Sequence, residues 1–65
     1  MSGIFYDPAG RRLHAVTAGP QPGWALVTHN LDATIHQCRR IMREWVPSEE
    51  LFRVDWSIHR ERLSA

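Results

Sequence analysis

Four histidines, His14, His29, His36 and His59, and one cysteine, Cys38, are the side chains able to bind a transition metal or move a proton near neutral pH. A zinc site needs three or four such ligands converging on one point. His36 and Cys38 are two residues apart on a predicted helix, so they point about 200° away from each other. No Cys-x-x-Cys, His-x-x-x-His or Glu-x-x-His spacing occurs. His29 and His59 fall near predicted strand ends, and nothing in the sequence brings them together. No metal and no cofactor is expected.

Nucleophilic and acid–base chemistry is equally thin. Cys38 lies between Ile35 and Met42 on an apolar stripe, so it reads as a small core residue. Asp7, Asp55, Glu49 and Glu50 are candidates for a carboxylate pair, but Asp7 is better explained by a turn, and Glu49 and Glu50 by a solvated loop. Gly19-Pro20-Gln21-Pro22-Gly23 has prolines where a phosphate cradle needs free backbone N–H groups. No catalytic residue is assigned, and an enzyme ranks third among the readings.

The strongest functional candidate is the basic stripe His36, Arg39, Arg40 and Arg43, with Asp32 on the same side. All eight Lys+Arg positions of the chain are arginine. Arginine suits planar contacts to carboxylate or phosphate, although a coding bias is the favoured explanation of the preference. The plainer reading of the stripe is a solvated helix face. The sharper one is a surface for an acidic partner, either a protein or a phosphate backbone. The net charge of +1 and the lack of an aromatic among the arginines speak against nucleic acid.

The element that carries this stripe is a helix predicted over Leu31–Val46. Leu31, Ile35, Cys38, Met42 and Trp45 share one face, with Ile41 and Val46 at its edges. Asn30 and Asp32 are the expected N-caps, Glu44 is placed to pair with Arg40, and Pro47 ends the helix. Before it, Ser2–Tyr6 reads as a first strand. Asp7-Pro8-Ala9-Gly10 reads as a type I turn, and Arg11–Thr17 as the return strand. Residues 18–23 are a Pro/Gly break, and Trp24–Thr28 is a third strand expected to be buried on both faces. After a polar turn at Ser48-Glu49-Glu50, Phe52, Val54, Trp56 and Ile58 alternate with polar residues. That alternation predicts a fourth strand rather than a second helix starting at Ser48. Such a strand is expected parallel to the third or at the far edge beside the first. Arg60–Ala65 reads as a frayed polar tail.

The expected fold is a single α+β domain over 1–65, of order β-β-β-α-β. It comprises a three-stranded antiparallel meander, a fourth strand, and one amphipathic helix packed on one sheet face. This order is similar to that of the partial ribonuclease-H-like domain of small antitoxins, a likeness of architecture that no residue motif carries. At 65 residues the chain has a small core and benefits from association. One helix covers one sheet face; Phe5, Val16, Val27 and Trp24 are candidates for an uncovered second face. An exposed apolar face favours a homodimer or a protein partner. The first ten residues, MSGIFYDPAG, do not read as a signal peptide, and no stretch approaches a membrane span. A lone cysteine suits a reducing, cytoplasmic setting. The functional expectation is a small non-enzymatic regulatory or accessory protein that works through protein–protein contact as a homodimer. The alternative is a nucleic-acid-binding regulator that uses the helix arginines on phosphates.

Overall fold

A computed structural model describes residues 1–61. The chain forms β1 (Gly3–Asp7), β2 (Arg12–Val16), β3 (Ala25–Thr28), α1 (Ile35–Met42), α2 (Ser48–Leu51) and β4 (Ile58–Arg60). The class is α+β: one mixed four-stranded sheet with the main helix on one face. The strand order is β3-β1-β2-β4, so β1 sits inside the sheet rather than at the end of a meander. Its composition explains the position. Gly3, Ile4, Phe5 and Tyr6 are all buried, and a continuous apolar run suits a strand covered on both faces.

β1 pairs antiparallel with β2 and with β3, and β4 pairs parallel with β2. The β1–β2 connection is the expected tight turn. Asp7 Oδ1 accepts from the amides of Ala9 and Gly10 at 3.0 and 3.1 Å, and Arg11 closes the loop at φ 54°. β3 is an edge strand, contrary to the expectation of burial on both faces, because β1 lies between it and β2. Leu26 is accordingly 39% exposed. β4 runs in the same direction as β3 but lies at the opposite edge beside β2, next to neither β3 nor β1.

The helix is shorter than predicted. It starts at a capping box rather than at Asn30 or Asp32. Thr34 Oγ1 accepts from the Gln37 amide, and Gln37 Oε1 accepts from the Thr34 amide. Asn30 instead uses its side-chain oxygen on the Asp32 amide in the preceding turn, at 3.0 Å. Beyond Met42 the chain stays in turns up to Pro47, with Val46 N–H bonded to Met42 C=O at 2.8 Å. The apolar stripe behaves as its spacing requires. Cys38, Met42 and Val46 are buried against Ile4, Tyr6, Leu13 and Ala15 of the sheet, with Leu31, Ile35 and Ile41 partly buried around them. Trp45 is the exception at 43% exposure, tilted against Tyr6 with ring centroids 6.3 Å apart.

The predicted fourth strand is the main correction. Ser48–Leu51 forms the short helix α2, the second helix that the alternation argued against. Pro47 precedes its first turn, Glu49 and Glu50 lie within that turn, and the Pro47 carbonyl accepts from the amides of Glu50 and Leu51. Proline and acids at a helix start override the alternation that follows. Val54, Trp56 and Ile58 do pack on the core, but only Ile58–Arg60 is a strand, and Phe52 points outward. Arg60 and Glu61, expected in a frayed tail, are engaged. The Arg60 guanidinium donates to Leu31 C=O at 2.7 Å, and Glu61 Oε2 accepts from the Thr17 amide at 2.8 Å. The rest of the predicted tail, 62–65, lies outside the described residues.

Tyr6 ties β1 to α2. Its hydroxyl donates to Glu50 Oε2 at 2.6 Å. Burial first, and then the Glu50 carboxylate, push the Tyr6 hydroxyl up to about 12. Folding therefore favours the neutral phenol. Its contribution is fully present below pH 10 and is lost as the pH rises toward 12. Tyr6→Phe is expected to cost about 1–2 kcal/mol near neutral pH. It should also flatten the alkaline fall in stability, as read by urea denaturation between pH 9 and pH 12. A wild-type-like fall in the variant would contradict this.

Candidate functional site

The second sheet face is not left open. Phe5 lies on it, 1% exposed and paired across to His14 and Leu26, without contributing to the helix-side core. The Pro/Gly segment after β2 folds back over this face. Gly19 packs so closely on Val16 that a Cβ there would meet Val16 Cγ2 at 2.6 Å, and the Gly19 amide donates to Met1 C=O. Trp24 stacks on His14, ring centroids 4.1 Å apart and planes within 8°. Of the residues assigned to an uncovered face, Phe5, Val16 and Trp24 lie on this side. Val27 does not: Leu26 pairs with Phe5, which turns Val27 to the helix side, where it is part of the buried core.

This face gathers a cluster that the sequence does not announce. His14 Nε2 lies 3.3 Å from Asp7 Oδ2, and the His59 ring stands edge-on to His14 at 5.7 Å. The Gly10 amide first, and then His14, hold the Asp7 carboxyl below its ordinary range. The cluster borders a cleft of about 570 Å3 closed by Pro20, Trp24 and Glu61. An Asp-oriented imidazole beside a second histidine is acid–base equipment; among the described residues the cleft is lined by no serine, cysteine or lysine, and its carboxylates are Asp7 and Glu61. Among the described residues no group of three or more His, Cys, Asp and Glu is placed to hold a metal ion. His14 and His59 meet because they are register partners on parallel strands, a consequence of topology that residue spacing does not show. His29 lies apart, its Nδ1 3.4 Å from Ser2 C=O.

Cys38 is fully buried, and burial pushes its thiol up, partly offset by the Arg60 charge. Little thiolate forms, as a core residue requires.

On the helix side, α1 and its C-cap present His36, Arg39, Arg40 and Arg43 outward, all exposed, around a shallow depression of about 280 Å3. Within the described residues none of these side chains has a carboxylate within 4 Å; the expected Arg40–Glu44 pair does not form. Arg39 instead lies over the Trp56 ring, 5.7 Å from its centroid. A second, smaller groove of about 120 Å3 runs between α1 and α2. It is lined by Arg39, Arg43, Ser48, Leu51 and Phe52. Phe52 is 87% exposed. Sequence reasoning placed it inward on a strand and so missed it. The signal that finds it is Pro47-Ser48-Glu49-Glu50, a helix start, which moves Phe52 to the C-terminal end of a one-turn helix.

No protein family, curated protein or solved structure matches the chain. No helix among the described residues is long and apolar enough to cross a membrane.

Proposed function

We propose that this chain is a small non-enzymatic binding protein that acts through protein–protein contact, as a homodimer, and that the arginine face of α1 takes an acidic partner. The observation that carries the reading is the state of that face. Three arginines and a histidine stand exposed on one helix and its C-cap, none of them with a carboxylate within 4 Å among the described residues, beside an exposed phenylalanine. Cations left unpaired on a rigid element are prepared for carboxylates brought by a partner, and they steer its approach. Fluorescence anisotropy with labelled polyglutamate, at low and moderate salt, tests this reading. Salt-sensitive binding supports it, and no binding at low salt removes it.

Phe52 also favours a second reading, an accessory protein for single-stranded nucleic acid. An exposed aromatic beside arginines is the arrangement on which bases stack. A labelled oligothymidine in the same assay separates the two. Tighter binding of the oligonucleotide than of polyglutamate at equal salt would promote the second reading.

For the homodimer, the support is the β3 edge. Trp24–Thr28 carries no charge and no proline, the usual protections of a sheet edge, and Leu26 is exposed there. Light scattering at several concentrations is expected to give a dimer. Leu26→Lys should shift it toward monomer by about tenfold or more in Kd without unfolding the chain. A wild-type monomer would remove the homodimer from the proposal.

A further inference from the structure

Resting on the arginine-face reading, we infer that the partner segment carries one large apolar side chain between acidic residues, and that this side chain seats against Phe52 in the groove between α1 and α2. Phe52 is the most exposed of the large apolar residues among those described, yet its backbone is tied on both sides. The Phe52 amide donates to Ser48 C=O and the Arg53 amide to Glu50 C=O at 2.9 Å, while Leu51 and Val54 on either side pack on the core. The ring is thus held out by an anchored turn. An aromatic carried on an anchored backbone beside a groove is a usual form of binding anchor, since no backbone ordering is needed when it is covered.

The groove itself specifies the chemistry of its occupant. Its volume of about 120 Å3 leaves room for one side chain rather than a sheet or a helix face. Leu51 and Phe52 supply the apolar wall, and Arg39 and Arg43 supply the opposite rim. Those two arginines are one helical turn apart, about 6 Å. Carboxylates two residues apart on an extended chain are separated by nearly the same distance, about 6.6 Å. Arg39 is already oriented by its position over Trp56. An acidic residue on each side of one leucine-sized side chain therefore matches the rim and the wall together. A phosphodiester chain matches the rim but has no apolar group for the wall except a base. The net charge of +1 disfavours a long polyanion more than a short acidic segment.

The test uses the full chain and two labelled peptides, one of Glu and Asp around a central Leu, the other with Ser in place of that Leu. A labelled oligothymidine completes the set. Wild type should bind the Leu peptide about tenfold more tightly than the Ser peptide. Phe52→Ala should abolish that preference while leaving Ser-peptide binding unchanged. Arg39→Ala with Arg43→Ala should weaken both. Circular dichroism confirms that each variant is folded, which the exposure of all three side chains favours. Equal binding of the two peptides by wild type, or a preference that survives Phe52→Ala, overturns the groove inference and leaves the arginine face standing. If neither peptide binds, or if the arginine variant binds like wild type, the arginine-face reading falls and the groove falls with it. Tighter binding of the oligothymidine, lost in Phe52→Ala, would make Phe52 a base-stacking platform and overturn the inference.

Discussion

Phe5→Ala is expected to lower the unfolding free energy by about 3–5 kcal/mol, the range for emptying a fully enclosed phenyl site. Phe5 is the largest of the fully buried side chains, and it lies on the central strand, on the face that no helix covers. Its neighbours are fixed by other constraints: His14 by Asp7 and Trp24, and Leu26 by its pairing on β1. They cannot collapse freely into the space, so most of the cavity cost remains. Domains of this size are marginally stable, and a loss of that magnitude leaves much of the population unfolded. Urea denaturation followed by tryptophan fluorescence reads the effect as a lowered midpoint. Phe52→Ala, at an exposed site, should change stability by no more than about 0.5 kcal/mol. A Phe5→Ala cost below about 1 kcal/mol would mean that the loop of residues 18–24 does not seal this face.

The second large effect concerns binding. Combining Arg39→Ala, Arg40→Ala and Arg43→Ala is expected to weaken the complex with polyglutamate by about 100-fold at low salt. Three exposed charge contacts at roughly 0.7–1 kcal/mol each add up to ~2–3 kcal/mol. The salt dependence should flatten along with the affinity, since both arise from the same charges. Folding should be nearly unaffected. Alanine is at least as good a helix former as arginine, and the contact of Arg39 with Trp56 is worth about 0.5–1 kcal/mol. Anisotropy titrations at two salt concentrations check this. Unchanged affinity in the folded triple variant would contradict the role assigned to the stripe.

Local periodicity was readable in this chain; pairing was not. Cys38, Met42 and Val46 could be placed in the core because a 3.6-residue repeat needs no knowledge of what packs on it. Asp7-Pro8-Ala9-Gly10 was legible for the same reason: the turn is made by its own residues. The helix start was missed because three capping residues compete within five positions. Thr34 wins over Asn30 and Asp32 because Gln37 completes a reciprocal pair of hydrogen bonds. Phe52 was misplaced because a real alternation at Val54, Trp56 and Ile58 was extended backward across a helix start. The cover over Phe5 was invisible. A Pro/Gly segment signals irregular backbone, and nothing in it states that the segment folds back onto the sheet. The meeting of His14 with His59 follows only once β4 is known to pair with β2. The arginine stripe was legible as a face, while its aromatic neighbour required the turn that ends α2.

The central claim is that the exposed basic face of α1, with the adjoining α2 turn, is where an acidic partner binds. Titrating the isotopically labelled full chain with polyglutamate and following its backbone amide resonances by NMR tests this most directly. The account predicts saturable, salt-sensitive shifts confined to Ile35–Arg43 and the residues of Ser48–Arg53. Shifts centred instead on His14, Trp24 and His59, or no shifts at low salt, would contradict it.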